Sequence, residues 1–444
     1  TGADSIAIKD MAGLMKPRAA RILFPALRER IDLPIHFHTH DTAGVACATI
    51  LAASEAGVDA VDCAMDALSG NTSQATIGSV VEALRHTERD TGLDIKTVRQ
   101  ISDYWETVRG QYAAFESGMQ APASEVYLHE MPGGQFTNLK EQAEAMGLGR
   151  RWPEIARTYA DVNQLFGDIV KVTPSSKVVG DMTMFLVTKG IKAADIYDLP
   201  KNTPWPESVI DMLSGGLGQP PGGFPQQLVD HICSDKVEIR TKRPGDYAAA
   251  VDFEQSRKDC EKRIGRPAND DDVWSYLMYP DVFVSFDEHR QKYSDVSVLP
   301  TPAYFYGLAN DEEISIEIEK GKTLITRMTH VRDADEHGIR SVTFELNGLE
   351  RSVDIADQSV ASDHESRPKA DPGDESQLGA PMPGLVASIA VSAGDKVQEG
   401  DALLTLEAMK MFTTVPAPAD GVVKEIHVHV GEDIDTKDLI VTLE

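Results

Sequence analysis

The chain has few cysteines and no long apolar run, and each absence excludes a class of protein. Its four cysteines, Cys47, Cys63, Cys233 and Cys260, form no CxxC pair or other close spacing, which argues against a zinc site or a disulfide framework. No segment approaches the roughly 20 apolar residues that a membrane-spanning helix needs. The start of the chain also lacks a signal or transit pattern. We therefore expect a protein of a reducing, cytoplasmic compartment.

A long basic stretch is also absent. The 444 residues include 43 Lys and Arg against 71 Asp and Glu, which gives a net charge of -28. Nucleic acids and anionic membranes are therefore not expected as partners. The length allows two to four domains. Because the sequence starts at Thr1 inside an ordinary repeating unit, we expect it to be the later part of a longer polypeptide.

The first part of the chain alternates strand-like and helical segments. The strand-like runs are DSIAIKD, LPIHFHTHD, VDAVDCAM and ASEVYLHE, and each precedes a helical pattern. Four such units predict a parallel sheet. The pattern fits both an open doubly wound sheet and half of an eight-unit barrel, and periodicity does not separate the two.

The middle of the chain changes character twice. Residues 140–290 are mostly helical by pattern, whereas the alternation in EISIEIEKGKTLITRM and IRSVTFELNGLERSVDI predicts a small β-rich module over about 295–356. The next segment, DQSVASDHESRPKADPGDESQL, has almost nothing to bury. We expect a disordered tether there, with a reach on the order of 25 Å.

The last part contains an internal repeat. Residues 384–407 align without a gap on residues 421–444, and both copies end in TLE. Two copies of one strand-turn-strand unit predict a pseudo-symmetric, flattened β-sandwich in which each copy covers the apolar face of the other. The segment that joins the copies begins with AMKM, so Lys410 is expected on a turn at one end of a small rigid domain.

Residues 379–444, with their repeat and turn and with the tether before them, resemble the biotin carboxyl carrier domain. The signature of that family is present as Ala408, Met409, Lys410 and Met411. The resemblance implies that biotin is attached to Lys410. Lipoyl domains share this fold, but a Met on both sides of the lysine favours biotin. The chain departs from the family at Phe412, where an acidic residue is frequent.

Three histidines alternate in IHFHTHD, so His36, His38 and His40 face one side of a strand. Ligands collect at the carboxyl ends of parallel strands. His38 and His40 are nearest that end and are the better pair for a metal, although an HxH pattern alone also fits hydrogen-bonding histidines. We interpret His36 as a packing residue.

Lys9 occupies the matching place at the end of the preceding strand. A free ammonium there would repel a metal, and one interpretation is a salt bridge with Asp10 or Asp41. The other is that CO2 has converted Lys9 to a carbamate, which would make it an anionic oxygen ligand.

Several longer strings resemble the carboxyltransferase domain of the pyruvate carboxylase family. They are KDMAGLMKP, HFHTHDTAG, MDALSGNTSQ, EVYLHEMPGGQFTNL and DIVKVTPSSKVVGD, in family order. LPTPAYFYGL is similar to the allosteric or tetramerisation module of that family. The resemblance covers the whole chain and implies a multi-domain α/β plus β protein, a partial TIM barrel with a helical funnel. Its implied parts are the second half of the barrel (1–139), the funnel (140–293), the module (294–356), a flexible linker (357–378) and the carrier (379–444).

The resemblance also implies roles for individual residues. Lys9 matches a carbamylated metal ligand, and His38 and His40 match the two histidine ligands. Thr173 matches a threonine that passes a proton between biotin and pyruvate, whereas the sequence alone favours a turn or helix-start threonine before Pro174. Ser176 falls where the family lines its biotin pocket.

The implied function is carboxyl transfer from carboxybiotin to pyruvate, giving oxaloacetate, as part of an ATP-dependent carboxylase. The implied cofactors are biotin, a divalent metal such as Zn or Mn, and ATP with Mg in an upstream domain. The implied partners are biotin protein ligase, a homotetramer and an acetyl-CoA effector. Two alternatives stay open: a subunit of an oxaloacetate decarboxylase or transcarboxylase, and a fragment that acts only as a biotin carrier.

Overall fold

The computed structural model describes residues 2–201, 203–233, 237–335, 338–357, 367–371, 374, 376–408 and 411–444. These residues form two compact units. The first combines the chain up to Tyr247 with the segment from Pro368 to Glu444, and the second is Ala248–Arg367. Among the described residues, no helix has both the length and the apolar character needed to cross a bilayer.

The first unit begins with a three-stranded parallel sheet in the order β1, β2, β3. Helices lie between and after its strands. The elements are β1 (Ile6–Asp10), α1 (Pro17–Arg28), β2 (Ile35–Thr39), α2 (Ala46–Glu55), β3 (Ala60–Val61), α3 (Ile77–Leu84) and α4 (Ile95–Arg109).

The alternation along β2 separates an apolar face from a polar one. Ile35 and Phe37 are fully buried and belong to the core with α1 and α2, where the rings of Phe24 and Phe37 meet edge to face with centroids 5.2 Å apart. His36 and His38 therefore lie on the opposite face. This face carries the predicted metal ligands.

The predicted fourth strand, in ASEVYLHE, is wrong. This segment forms the short helix α5 (Val126–His129), in which the Glu130 amide donates to the Val126 carbonyl at 2.7 Å. A parallel strand needs a neighbouring edge for its hydrogen bonds. Beyond β3, the described residues offer only the isolated bridge between Ala64 and Thr76, so the segment satisfies its backbone locally.

A helical region follows, formed by α6 (Gly133–Ala145), α7 (Trp152–Leu165), α8 (Ser175–Lys189), α9 (Glu207–Leu213) and α10 (Gln226–Ile232). Helix α8 is its centre, because eleven of its residues, Ser176 and Val178–Val187, are buried. Asp181 is buried with them, and its carboxylate accepts hydrogen bonds from Lys177 Nζ at 2.7 Å and Ser208 Oγ at 2.6 Å. This arrangement ties α8 to α9.

The second unit contains α11 (Phe253–Ile264), α12 (Asp270–Met278), α13 (Pro280–Tyr293), α14 (Thr301–Tyr306) and an antiparallel meander of β4 (Glu313–Glu319), β5 (Lys322–Val331), β6 (Ile339–Leu346) and β7 (Leu349–Ala356). Helices α11 to α13 group with this sheet rather than with the preceding helices. The division after Tyr247 thus falls inside the range 140–293 that was predicted as one helical region.

The carrier module is a sandwich of two four-stranded sheets, in the orders β10-β13-β15-β8 and β12-β11-β9-β14. Its strands are β8 (Gln377–Gly379), β9 (Gly384–Ile389), β10 (Lys396–Val397), β11 (Ala402–Ala408), β12 (Met411–Pro416), β13 (Gly421–Ile426), β14 (Asp433–Ile434) and β15 (Leu439–Leu443). Each repeat lends its short middle strand, β10 or β14, to the sheet of the other repeat. The repeat therefore forms a pseudo-symmetric sandwich as predicted.

Part of the predicted linker is bound to this module. Lys369 forms a β-bridge with Asp438 and its Nζ lies 2.6 Å from the Asp438 carboxylate. Strand β8 begins at Gln377, also inside the predicted linker, and pairs with β15. Polar composition alone did not reveal that the backbone of these residues extends a sheet.

Candidate metal and carboxyl-transfer site

The two strands β1 and β2 place the predicted ligands side by side. Lys9 and His38 are register partners in the parallel pair, so their side chains point to the same face of the sheet. His40 follows β2 directly. The predicted metal ligands therefore meet at the carboxyl end of the sheet, where α/β proteins build their sites.

His38 and His40 face each other through their Nε2 atoms, which are 3.2 Å apart. Their other ring nitrogens already have acceptors: His38 Nδ1 lies 2.7 Å from Asp62 Oδ2, and His40 Nδ1 lies 2.6 Å from the Thr72 carbonyl. When the rings are neutral, each Nδ1 donates its proton to that acceptor, and both Nε2 lone pairs point into the same space.

This arrangement fits a metal ion. With bond lengths of about 2.0–2.1 Å, two nitrogens at this separation would subtend about 100° at the ion, close to tetrahedral. Burial lowers the pKa of His40 more than the hydrogen bond to Thr72 raises it, which favours the neutral, ligating form. Across the part of the chain that the structure describes, no three His, Cys, Asp or Glu side chains converge on one point. A metal here would need a donor of another kind.

Lys9, the register partner of His38, is the predicted donor of this kind, in carbamylated form. Its side chain is exposed and makes no ion pair with any described residue. The carboxylate of Asp10 accepts from the amides of Leu14 and Met15, and that of Asp41 accepts from the Ala46 amide. Both carboxylates considered as salt-bridge partners of Lys9 are thus engaged with backbone amides, and the carbamate at Lys9 stays a prediction.

Asp62 holds the ring of His38, and the sequence did not predict this contact. Its carboxylate bonds His38 and also His36, whose Nε2 lies 2.7 Å away. Partial burial would raise the pKa of Asp62, but the bonds from His38 and His36 outweigh burial and lower it. His36 is thus a hydrogen-bonded, half-exposed residue rather than a packing residue. The available signal was an acidic residue directly after a strand that neighbours the HxH strand.

The neighbouring cysteine, Cys63, belongs to no cluster of three metal-binding side chains among the described residues. Cys63 follows Asp62, and burial, with smaller contributions from Cys47 and Asp62, raises the pKa of its thiol to about 12. Without a metal the thiol therefore stays protonated near neutral pH, and it is not available as a nucleophilic thiolate.

Helix α6 begins directly against the histidine pair. A Cβ on Gly133 would lie 2.7 Å from His40 Nδ1 and 2.6 Å from the Thr72 carbonyl, so only glycine fits there. The Gly133 amide also donates to the Met11 carbonyl at 2.9 Å. These contacts fix the helical region to the carboxyl end of the sheet.

Thr173 lies in the loop before α8, and its side chain is exposed. The loop is tied to the α5–α6 connection, because Lys171 Nζ bonds the Glu130 carboxylate at 2.9 Å. Ser176 is 5% exposed in the first turn of α8, and its carbonyl accepts from Tyr159 Oη at 3.3 Å. No distance links either residue to the histidine pair, so their roles stay predictions.

The attachment motif spans the turn between two paired strands. Ala408 ends β11 and Met411 begins β12, and these two residues are register partners. Met409 and Lys410 lie outside the described residues, so biotin attachment at Lys410 stays a prediction.

Three family models match the chain in succession. Residues 1–104 match "HMGL-like", residues 126–327 match "Conserved carboxylase domain", and residues 376–443 match "Biotin-requiring enzyme". Together they support the predicted fold class, a TIM-barrel-type carboxyltransferase region followed by a biotinyl module.

Curated relatives and solved structures agree with these models. The pyruvate carboxylases of Bacillus subtilis and Staphylococcus aureus are 44% and 43% identical to the chain over 94% and 93% of its length, and the chain spans 36% of each. The crystal structure of a complete multifunctional pyruvate carboxylase from Rhizobium etli matches 99% of the chain with a TM-score of 0.73 and 53% identity, and the match spans 40% of that structure.

The carboxyl transferase domain of the Rhizobium etli enzyme, solved with pyruvate and biocytin, matches 80% of the chain with a TM-score of 0.74 and 57% identity. The match spans 60% of that structure. The predicted similarity to pyruvate carboxylases is thus confirmed, for a chain that spans about a third of its curated relatives' length.

Proposed function

We propose that this chain, which matches pyruvate carboxylases along nearly its whole length, carries the carboxyltransferase site and the biotin carrier of such an enzyme. Its reaction is transfer of a carboxyl group from biotin to the methyl carbon of pyruvate, which gives oxaloacetate. The observation that carries the proposal is the apposition of His38 Nε2 and His40 Nε2 at 3.2 Å, beside Lys9 at the carboxyl ends of two parallel strands.

The chain's own residues divide the work. His38, His40 and carbamylated Lys9 would hold a divalent metal, and Asp62 would orient the ring of His38. When bound, the metal polarises the oxygens of pyruvate, and biotin delivers the carboxyl group. The hydroxyl of Thr173 would give its own proton to the ring nitrogen of biotin that the carboxyl group leaves, and would take the methyl proton of pyruvate in its place. A hydroxyl is too weakly basic to act as a general base, but it can relay a proton between two other groups.

The carrier module would hold the biotin that moves the carboxyl group. Biotin protein ligase would attach biotin to Lys410 within Ala408–Met411, and Ser176 would line the pocket that receives it. The rest of the enzyme would include an upstream domain that uses ATP and Mg. A cytoplasmic homotetramer with acetyl-CoA as effector completes the proposal.

A decarboxylase or transcarboxylase subunit is the second candidate. Such proteins share the reaction half but generally lack the segment LPTPAYFYGL, which in this chain contributes α14 next to the β4–β7 meander. Similarity to the pyruvate carboxylase of Bacillus subtilis along 94% of the chain supports the carboxylase over this candidate. A pure carrier would show no exchange in the experiment below.

The test is exchange of labelled pyruvate into oxaloacetate without ATP, measured on the full polypeptide that contains this chain. Thr173→Ala should lower the exchange rate on the order of 10²–10⁴-fold because the proton shuttle is lost. Bound metal should be unchanged. Thr173→Ser, which keeps the hydroxyl, is the matched control and should retain exchange.

A second variant separates the metal from the shuttle. His38→Ala should lose both bound metal and exchange, since one of two facing ligands is removed. Full exchange in Thr173→Ala would remove that residue from the mechanism, and full metal content in His38→Ala would remove the histidine pair from the metal site.

A further inference from the structure

The carrier module contacts the helical region within the first unit. Strand β12, whose residues follow Lys410 in the sequence, lies against α9. Thr414 Oγ1 donates to the Glu207 carboxylate at 2.7 Å, and the neighbouring Thr413 is buried. The strand that carries the end of the attachment motif is thus also the strand held by the helices.

An apolar contact accompanies this hydrogen bond. Met382 packs against the hydrophobic cores of both the helical region and the carrier module. Met184, Phe185 and Pro206 line a cavity of about 20 Å³ together with Met382. Met382 therefore links the apolar core of the helical region to that of the carrier module.

The contact lies at the wrong end of α8 for the proposed reaction. Thr173 precedes the first residue of this helix, whereas Met184, Phe185 and Thr188 are in its last two turns. At 1.5 Å per residue, Ser175 and Thr188 are separated by about 20 Å along the helix axis.

We propose that this contact is a resting dock for the carrier module on its own chain, and that the module leaves it to deliver a carboxyl group near Thr173. The second half of this statement rests on the proposed function. The carrier dock is defined as Met382, Thr413 and Thr414 against the ends of α8 and α9. Because the contact lies about 20 Å along α8 from the end that follows Thr173, a module held there has to leave it before its attached group is used near Thr173.

The experiment locks the carrier dock in the full biotinylated polypeptide. Glu207→Cys and Thr414→Cys are combined and treated with a short bis-methanethiosulfonate reagent, which a reductant removes. We expect a cross-link between these two positions within one chain, mapped by mass spectrometry. The cross-link should lower pyruvate–oxaloacetate exchange at least tenfold, and reductant should restore it.

The matched control pairs Glu207→Cys with Glu425→Cys, because Glu425 is exposed on β13 in the other sheet of the sandwich. Equal cross-linking of this pair, or a link between different chains, would overturn an intrachain dock. Full exchange in the locked form would overturn its resting character. Absence of exchange in the reduced double variant contradicts the proposed function instead, while the cross-link map still decides whether the dock exists.

Discussion

His38 and His40 point their Nε2 atoms at each other because the opposite nitrogen of each ring is held. Asp62 holds one ring and the Thr72 carbonyl holds the other. Two lone pairs left facing at this distance repel, unless a proton or a cation lies between them. The metal-ready geometry is therefore imposed by groups that are not themselves ligands.

At this scale the sequence predicted the proposed metal ligands but not the residues that orient their rings. Strand periodicity is sufficient to put His38 and His40 on one face. Asp62 and Thr72 reach them from β3 and the loop that follows it, and such tertiary contacts have no periodic signal. Lys9 shows the same limit, since only the structure shows that Asp10 and Asp41 are engaged with backbone amides.

His129 gives a prediction for the dependence of stability on pH. Burial lowers its pKa to about 4, and its Nδ1 accepts from the Met131 amide at 3.0 Å. The unfolded chain binds a proton at this residue below about pH 6.5, whereas the folded chain does so only near pH 4. The residue therefore costs no stability above pH 6.5, and stability is lost as the pH falls towards 4. The loss between pH 7 and pH 5 is about 2 kcal/mol.

Urea unfolding at these two pH values checks this. His129→Asn keeps an acceptor near the Nδ1 position and carries no titratable proton. Between pH 7 and pH 5, the free energy of unfolding of this variant should therefore fall by about 2 kcal/mol less than that of the parent. His86→Asn, at an exposed residue, is the control and should behave as the parent does. An unchanged pH dependence in His129→Asn would show that His129 is not held neutral.

At the scale of elements, pairing partners decide which predictions succeed. The repeat predicted the sandwich because each copy provides the partner strands of the other. The segment ASEVYLHE has a strand-like pattern but lies beyond β3, which has only two residues, and it forms the helix α5 instead. The end of the predicted linker shows the opposite case, in which a polar segment becomes ordered because β15 offers it an edge.

Lys369 tests whether the end of the predicted linker stabilises the carrier. Its Nζ is the ion-pair partner of Asp438, which is 4% exposed beside β15. Lys369→Met should weaken the module by about 1–2 kcal/mol, because a buried carboxylate loses a charged donor. Hydrogen exchange of the β15 amides should then be roughly 5 to 30 times faster.

The control is Lys396→Met, at an exposed lysine on β10 of the same module. Protection of β15 should be unaffected in this variant. Equal exchange in Lys369→Met and the parent would mean that the segment only lies on the module without stabilising it.

At the scale of the whole molecule, the proposed reaction site and the predicted carrier lie in one compact unit, and a second unit of helices and a β-meander lies between them in sequence. The order of the parts could be predicted from motifs, since these are long and follow family order. The division after Tyr247 could not, because the helical patterns on both sides of it are alike. The carrier dock also had no sequence signal, as it joins residues about two hundred positions apart.

The account as a whole depends on Lys410 carrying biotin. The direct measurement is the mass of the peptide containing Lys410, from polypeptide produced in cells with an active biotin protein ligase. We expect one biotinyl group in amide linkage on Lys410, and none in a Lys410→Arg variant. An unmodified lysine, or a lipoyl group in its place, would contradict the proposed function.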